Sequence, residues 1–274
     1  MLQRSAYDVY LLGLGIVSNL QVTREAEDAL RACQKVFFLY AAPNTIDYVK
    51  SFDVEVVQME SLYQEGEPRT IKYRMLAEQV ISAAMTDPPV ALAVYGHPTV
   101  LVMPSKMVRA LASTFGLRVK ILPGISALDC LIVDLDIDLG TNGIVMYETN
   151  YVLVHRPPLD PFIPCLLWQA GVAETRLYSS KPSRPERFQR LQDYLLQYYR
   201  HTHKIALAIS ATSPQVGPHI TWVHVDQLVQ SYKNITALST LFIPAERKRK
   251  IVDSQLAALL DDPAHLDNIT RKCS

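Results

Sequence analysis

The sequence has no excess charge of either sign. Lysine plus arginine and aspartate plus glutamate number 27 each in 274 residues, so the formal net charge is zero. Such a chain has no basic field to attract nucleic acid or an anionic membrane, and we expect neither as a partner. Long apolar runs are missing too, since none approaches the roughly 20 residues that span a bilayer. The apolar run near the N-terminus is too short for a signal peptide, so we expect a cytoplasmic protein.

Cysteine is also scarce. Cys33, Cys130, Cys165 and Cys273 are widely spaced and form no CxxC pair, which argues against a zinc site or a disulfide framework. The acidic stretch DLDIDLG, residues 134–140, alternates like a calcium loop but has no glutamate at the required distance, which favours a strand or turn edge. The chain contains no GxxxxGK[ST] phosphate loop. The sequence therefore predicts no metal site and no nucleotide hydrolysis.

The first half of the chain alternates two kinds of pattern. Short apolar runs such as VFF and VALAV alternate with amphipathic helical segments, which indicates βαβ units and a mostly parallel, doubly wound sheet. One helix is predicted to begin after an N-cap at Thr23. Residues 70–85 predict another helix, with Leu76, Val80 and Ala84 on one face. The fold class is α/β.

The second half begins, on this reading, at a proline-rich interval between residues 157 and 164. Its apolar segments alternate more strictly with polar residues, which favours a mixed sheet. Residues 184–201 predict one long helix, and the basic cluster ERKRK, residues 246–250, predicts a solvent-exposed helix start. The predicted divisions are an N-terminal α/β domain over 1–156, a C-terminal mixed α/β domain over 157–250, and a short helix with a polar tail over 251–274.

Three predicted strands end in loops of small residues. The loops are GLGIVSN at 13–19, YGHP at 95–98 and LPGIS at 122–126. Singly, they are a tight turn, a loop with a hydrogen-bonded histidine, and a helix start capped by Ser126. Together, three such loops at the carboxyl edge of one parallel sheet form a crevice for a flat ligand. The first loop lacks the last glycine of GxGxxG and does not indicate a dinucleotide.

A fourth segment, YQEGEPRTIKY at residues 63–73, leads into a predicted helix and contains a cation and two phenols. Arg69 and Tyr73 are four residues apart and share a helix face, while Tyr63 lies upstream across a glycine loop. Arginine stays charged and a phenol both donates and accepts a proton, so this set can stabilise and deprotonate a weakly acidic group. An exposed arginine–tyrosine stack is the alternative.

In this combination and order, the motifs resemble those of the tetrapyrrole-methylase superfamily of S-adenosylmethionine-dependent methyltransferases. Common members have GxGPGDP-like residues in the first loop and GDP in the second, where this sequence has GLGIVSN and YGHP. It is more similar to the borosin peptide-backbone α-N-methyltransferases, in which YGHP precedes an apolar stretch and PS, as in YGHPTVLVMPS. PGISALDC, MYETNYVLVHRP, LLWQAG and STLFIP add matches in order. The resemblance implies two domains with the cofactor in the crevice between them.

The resemblance also implies S-adenosylmethionine as the cofactor, no metal, and specific site residues. The family's catalytic arginine and tyrosines correspond to Arg69, Tyr73 and Tyr63, and one further family tyrosine is Glu60 here. The implied cofactor-binding positions lie in the strand-end loops and in three segments of the second half. They are Leu12, Gly13, Tyr95, Gly96, His97, Val100, Ser126, Ala127, Gln169, Ala211, Ser239 and Thr240.

The acceptor implied by the resemblance is the backbone amide nitrogen of a ribosomally made precursor peptide, methylated repeatedly in natural-product biosynthesis. Fused members carry this peptide at their C-terminus, whereas residues 264–274 here, AHLDNITRKCS, are polar and lack a Val/Ile/Gly-rich run. We therefore expect a precursor supplied in trans. A homodimer is implied, or a heterotetramer with the precursor. Two alternatives stay open: methylation of a tetrapyrrole or an rRNA on the same fold, and a non-catalytic scaffold that binds the cofactor.

Overall fold

Two β-sheets of five strands each organise the residues that the computed structural model describes, which are 6–38, 43–59 and 64–271. The first half contains β1 (Val9–Gly13), α1 (Arg24–Ala32), β2 (Lys35–Phe38), α2 (Pro43–Lys50), β3 (Glu55–Gln58), α3 (Arg69–Thr86), β4 (Val90–Val94), α4 (Met103–Thr114), β5 (Val119–Leu122), α5 (Ala127–Asp134) and α6 (Leu139–Asn142). The second half contains β6 (Val145–Glu148), α7 (Thr149–His155), β7 (Cys165–Trp168), α8 (Gln189–Leu195), β8 (Lys204–Ile209), β9 (His219–His224), β10 (Thr240–Ile243), α9 (Ser254–Leu259) and α10 (Pro263–Ile269).

The first sheet has the strand order β3-β2-β4-β1-β5, and every pair in it is parallel. Its central strand β4, VALAV, is buried along its whole length, as expected for a parallel sheet covered on both faces. Leu12 of β1 is in register with Ala93 of β4 and with Leu122 of β5. The carboxyl ends of these three strands therefore meet at one edge, which brings together the loops that follow them.

Helices cover both faces of this sheet, as the apolar periodicity predicts. Leu76, Val80 and Ala84 of α3 are buried against one face, and Leu30 of α1 is buried against the other. Each fully buried leucine or valine side chain contributes roughly 1.5–3 kcal/mol to folding. The predicted N-cap is confirmed, because the Thr23 side chain accepts a hydrogen bond from the amide of Ala26 at 3.2 Å.

The second sheet is mixed, as predicted. Its strand order is β6-β7-β10-β8-β9, with β6 and β7 parallel and the other pairs antiparallel. The sequence assigned residues 145–156 to the N-terminal domain, but β6 pairs with β7, so these residues pack with the second sheet. Parallel neighbouring strands need a crossover connection, and α7 with the proline-rich interval forms the one between β6 and β7. The three-domain division itself stays a prediction.

One predicted helix is shorter than its sequence pattern. Residues 184–201 form a short 3₁₀ helix, Pro185–Phe188, and then α8, which ends at Leu195. The amides of Tyr198 and Tyr199 both donate to the carbonyl of Leu195 at 3.0 Å, so the chain turns off the helix axis. This turn buries Tyr199, which is 3% exposed. Tertiary packing thus ends the helix earlier than periodicity predicts.

The prediction that ERKRK starts a helix is wrong, because residues 246–250 are irregular. The Glu246 amide donates to the carbonyl of Pro161 at 2.8 Å, and the Glu246 carboxylate accepts from Arg200 Nε at 2.8 Å. Arg249 forms an ion pair with Asp160. These long-range contacts hold the segment against the second half and leave no helical conformation for it.

The acidic stretch 134–140 is a turn edge, in agreement with its interpretation from sequence. Asp136 adopts a left-handed conformation with φ of 52°. Asp138 caps α6 by accepting a hydrogen bond from the amide of Gly140 at 2.8 Å. Both aspartates therefore have local backbone roles.

Residues 251–271 form two helices, α9 and α10, where one helix and a polar tail were predicted. Within the described ranges, no helix is both long and apolar enough to cross a membrane. The described residues also contain no cluster of three or more histidine, cysteine, aspartate or glutamate side chains placed to hold a metal ion.

Candidate active site

The three predicted loops meet backbone to backbone at the carboxyl edge of the first sheet. A Cβ atom on Gly13 would lie 2.6 Å from the carbonyl oxygen of Gly96 and 2.7 Å from the amide nitrogen of Gly124. The Gly96 amide donates to the carbonyl of Gly15 at 2.9 Å. The Leu12 side chain is fully buried, so only its backbone can face a ligand. The loops therefore form one continuous backbone surface, which we call the glycine surface.

The YGHP loop depends on glycine and displays two apolar groups. Gly96 has φ of 75°, in the left-handed region that favours glycine. Tyr95 and Val100 are 40% and 37% exposed, while His97 is half-buried. The amide of Thr99 donates to His97 Nδ1 at 3.1 Å, which fixes the imidazole over the loop. An aromatic and an aliphatic side chain thus remain accessible beside the glycine surface.

The LPGIS loop ends in a capping box that starts α5. The Ser126 amide and hydroxyl donate to Asp129 Oδ2 at 2.6 Å and 2.7 Å, and the N-cap predicted at Ser126 is confirmed. Burial alone would raise the pKa of Asp129, but the hydrogen bonds from Ser126 and the nearby His97 outweigh it and hold that pKa below its usual value. Ala127, the first residue of α5, follows the cap directly.

A groove of about 480 Å³ lies between the LPGIS loop and the second half of the chain. Its lining includes Ile125 and Asp129 from the first half and Ala211, which follows β8. Ser210 Oγ, next to Ala211, is buried and has no hydrogen-bond partner within the described part of the chain, and the same holds for Asp134 Oδ2 in the groove wall. Buried polar atoms without partners favour a bound ligand at this position.

The remaining predicted cofactor positions come together in the second half. Gln169 follows β7 and adopts a left-handed conformation with φ of 58°. The Ala170 amide donates to the carbonyl of Ser239 at 3.0 Å, and Ser239 and Thr240 are 1% and 5% exposed. Because β7 and β10 are antiparallel neighbours, the end of β7 and the start of β10 lie at one edge of the second sheet.

The segment before α3 crosses to the second half of the chain. Residues 66–69 pair antiparallel with residues 176–178 around the bridge Pro68–Leu177, and we call this pair the inter-half ribbon. The Gly66 amide donates to the carbonyl of Tyr178 at 2.9 Å, and the Tyr178 amide donates to the carbonyl of Glu67 at 2.8 Å. The start of α3 is therefore fixed by both halves of the chain.

Arg69, the first residue of α3, is anchored through its backbone and its side chain. Its amide and its Nε donate to the carbonyl of Arg176 at 3.3 Å and 3.4 Å. The guanidinium has five N–H donors, and the described residues take up only the one on Nε. Tyr73 is half-buried one turn further along α3, on the same helix face. This face presents a cation and a phenol.

Several side chains that support this segment were not predicted from the sequence. The Glu65 carboxylate accepts from the Ser179 hydroxyl and from the Ser180 amide at 2.9 Å, and these bonds, with that of Ser179 largest, lower the pKa of Glu65. Lys72 is 6% exposed and forms an ion pair with Glu67 at 2.8 Å. Because Glu65 and Ser179 are 114 positions apart, no local spacing predicts their contact.

One signal for Lys72 was available in the sequence. Lys72 precedes Leu76 and Val80 at intervals of four, so it belongs to the buried stripe of α3. A lysine in an apolar stripe requires a partner, because an unpaired charge is costly to bury. The stripe therefore predicts a paired lysine, although it does not identify Glu67.

The structure joins some predicted site residues and leaves others apart. The glycine surface and the groove at Ala211 share the LPGIS loop. Among the residues that the structure describes, no hydrogen bond connects Arg69 or Tyr73 to the glycine surface. Tyr63 and Glu60 lie outside the described residues. The start of α3, with the predicted catalytic residues Arg69 and Tyr73, is thus positioned by the inter-half ribbon.

This arrangement of loops on two sheets defines a known class of enzyme. A profile of tetrapyrrole (corrin/porphyrin) methylases matches residues 8–216. The chain belongs to this family of methyltransferases, whose methyl donor is S-adenosylmethionine.

The curated relatives identify the branch that the sequence resembles. The chain is 31% identical over 244 residues to a methyltransferase/ribosomally synthesized cyclic peptide gymnopeptides precursor of Gymnopus fusipes. This alignment covers 88% of this chain and 58% of the relative. It is 30% identical over 251 residues to a methyltransferase/type III borosin cyclic peptide precursor of Anomoporia bombycina. That alignment covers 91% of this chain and 29% of the relative. The resemblance to borosin enzymes is confirmed, and the matches span at most about three-fifths of these relatives.

Solved structures of low sequence identity share the fold. Cobalt precorrin-4 methyltransferase has a TM-score of 0.62 at 12% identity, with 86% of this chain and 94% of that chain covered. Uroporphyrin-III C-methyltransferase from Thermus thermophilus, complexed with S-adenosyl homocysteine, has a TM-score of 0.57 at 15% identity, with 86% and 91% covered. The predicted two-sheet α/β fold of this family is confirmed.

Proposed function

We propose that this chain uses S-adenosylmethionine to methylate backbone amide nitrogens of a ribosomally made precursor peptide, and that it does so iteratively. The observation that carries the proposal is the glycine surface, where Gly13, Gly96 and Gly124 bring three loops into contact. The family's cofactor loops correspond to these loops. Support for a peptide acceptor comes from relatives that are themselves described as methyltransferase and cyclic peptide precursor in one chain.

The described residues fit such a cofactor. The glycine surface permits close backbone approach, Ile125 and Ala211 supply apolar contacts, and the Ser210 hydroxyl is buried and available. An adenosyl amino acid combines a flat base with hydroxyl, carboxylate and amine groups, so it needs contacts of both kinds. The proposed contacts are those of Leu12, Gly13, Tyr95, Gly96, His97, Val100, Ser126, Ala127, Gln169, Ala211, Ser239 and Thr240.

The acceptor presents the chemical difficulty. S-adenosylmethionine supplies an electrophilic methyl group on a sulfonium, and this transfer needs no metal. An amide nitrogen is a weak nucleophile because its lone pair is delocalised into the carbonyl. Loss of the N–H proton moves negative charge onto the carbonyl oxygen, where the guanidinium donors of Arg69 stabilise it. The proton passes to the phenolate form of Tyr73 or Tyr63, or to water, as the amide nitrogen takes the methyl group from the sulfonium and S-adenosylhomocysteine leaves.

We further propose that the precursor is a separate chain. The working unit of the proposal is a cytoplasmic homodimer, or a heterotetramer with the precursor. Light scattering of the purified chain, alone and with the peptide, tests the assembly, and a monomer in both samples would contradict it.

Intact mass spectrometry of a candidate precursor peptide, co-expressed with this chain, tests the proposed reaction. We expect increments of one methyl group, placed on backbone nitrogens by fragmentation. Removing a donor that stabilises a developing oxyanion costs about 100-fold or more in rate, so Arg69→Ala should abolish detectable transfer. Tyr73→Phe should also strongly reduce it, because it removes a proton-transfer group.

Arg74→Ala is the matched control, because Arg74 is an exposed arginine on the same helix. It should methylate at the wild-type rate. Isothermal titration should show that S-adenosylhomocysteine binds all three variants equally. Near-normal methylation by Arg69→Ala would overturn the assignment of Arg69. An unmodified peptide with intact cofactor binding would instead indicate another acceptor or a scaffold.

A further inference from the structure

A second groove opens in the second half, beside the inter-half ribbon. It encloses about 570 Å³ between residues 177–183 on one wall and residues 232–237 on the other. Gly171 lies in its lining, and a Cβ on Gly171 would meet the backbone of Thr236. Leu177 lines the groove and also forms the ribbon bridge with Pro68, so the groove is continuous with the segment that carries the catalytic arginine.

The charged side chains that line this groove are all basic. They are Lys181, Arg187 and Lys233, and the described lining contains no acid. Within the described ranges, none of the three forms an ion pair with a carboxylate. The carboxylate of Glu65 lies near one end, where hydrogen bonds from Ser179 and the charge of Lys181 lower its pKa. We call this feature the basic groove.

Arg187 lines the groove and is held by two hydrogen bonds. Its Nε donates to the carbonyl of Ala173 at 2.8 Å, and its Nη1 donates to Ser183 Oγ at 2.9 Å. Burial, followed by the like charge of Arg69, lowers the pKa of Arg187. An anion bound beside Arg187 would offset this unfavourable interaction with Arg69.

Apolar side chains occupy the rest of the lining. Leu177 is 45% exposed, and Val172 and Ile235 line the same space. Basic groups next to aliphatic ones match a peptide that carries carboxylates next to aliphatic residues, whereas a free inorganic anion would leave the aliphatic contacts unused.

We propose that the basic groove binds an acidic segment of the acceptor peptide, with its carboxylates on Lys181 and Lys233 and its aliphatic neighbours on Leu177 and Ile235. This proposal rests on the proposed function and names the substrate feature that the second half recognises. Since the ribbon connects the groove to Arg69, a peptide held here has its adjoining residues next to the catalytic segment.

Fluorescence anisotropy with two labelled synthetic peptides tests the proposal on the full chain. One peptide places a run of glutamates before a Val/Ile/Gly run, and its twin has glutamines instead. We expect the glutamate peptide to bind about fivefold to tenfold more tightly at low salt, with the preference lost at high salt. Lys181→Gln with Lys233→Gln should reduce the preference below about twofold. Lys50→Gln, at an exposed lysine of α2, should leave it unchanged.

Equal affinity for the two peptides, no binding of either, or a preference that survives the double variant would each overturn the basic groove as a peptide site. Mass spectrometry of the same wild-type mixtures separates this result from the proposed function. Backbone methylation of the glutamine peptide would support peptide N-methylation even if the groove proposal fails.

Discussion

Gly13→Ala perturbs the contact on which the proposed cofactor crevice depends. The added Cβ would lie 2.6 Å from the Gly96 carbonyl oxygen and 2.8 Å from Gly124 Cα, and every atom it meets belongs to the backbone. Ordinary contact begins at 3.4 Å, so the nearest pair is about 0.8 Å too close. No side-chain rotation can relieve a clash with backbone atoms. The YGHP and LPGIS loops must therefore separate.

The cost of this separation follows from the packing. Inserting a methylene or methyl group into a well-packed site costs typically 1–3 kcal/mol. Because the obstruction is backbone on two sides, we expect a loss of about 3 kcal/mol in the free energy of unfolding. At roughly 2–4 °C per kcal/mol for a chain of this size, Tm falls by about 6–12 °C. Affinity for S-adenosylhomocysteine falls by about tenfold or more, because the displaced loops form its proposed site.

Urea unfolding followed by circular dichroism measures the first effect, and isothermal titration measures the second. Gly217→Ala is the control, because a Cβ there meets nothing within 4 Å and should change stability by less than about 0.5 kcal/mol. Gly124→Ala obstructs the same gap from the other side, so the double variant should cost less than the sum of the two single variants. A wild-type midpoint and affinity for Gly13→Ala would refute the reasoning, and so would strict additivity.

Three further predictions concern stability and reactivity. The hydrogen bond from Arg118 lowers the pKa of Asp8, so Asp8 stabilises the fold above about pH 4 and loses that contribution as pH falls through its folded pKa. Asp8→Asn should therefore make the free energy of unfolding in urea less dependent on pH in the acid range. An unchanged pH dependence would contradict the pairing. Burial raises the pKa of the Cys33 and Cys165 thiols to about 12, so iodoacetamide at pH 8 should label both only after unfolding. Peptide mapping would show the labelled sites, and rapid labelling of the native chain would contradict their burial. Leu76→Ala should cost about 2–5 kcal/mol in urea unfolding, since Leu76 is fully buried, and a loss below about 1 kcal/mol would contradict that packing.

Features set by neighbouring residues were predictable from the sequence. The caps at Thr23 and Ser126 depend on hydrogen bonds that span three positions, so a short motif contains all the information they need. The parallel first sheet followed from its continuous apolar strands. The glycine loops followed from the requirement for close backbone approach at strand ends.

Features set by distant residues were not predictable. The inter-half ribbon pairs residues more than a hundred positions apart, and neither of its strands has the alternating pattern of a sheet. The segment 246–250 looks helical by composition, but its contacts with Pro161 and Arg200 override that preference. The pairing of β6 with β7 likewise depends on partners that no local pattern reveals.

Part of the site was also predictable in composition but not in arrangement. The sequence placed Arg69 and Tyr73 on one helix face, and the structure agrees. That Arg69 depends on the carbonyl of Arg176 for its orientation could not be inferred, because a backbone acceptor leaves no trace in the identity of the residue that provides it.

That dependence has a consequence for how such an enzyme changes over evolutionary time or in the laboratory. Since the side chain of Arg69 bonds to the carbonyl of Arg176, insertions or substitutions in the loop at 176–180 can reorient its guanidinium while α3 and the glycine loops keep their sequences. Under the proposed function, selection on the placement of Arg69 can therefore act on this loop, and selection on methyl-donor binding can act on the three glycine loops. A library confined to residues 174–183 would vary the one without disturbing the other.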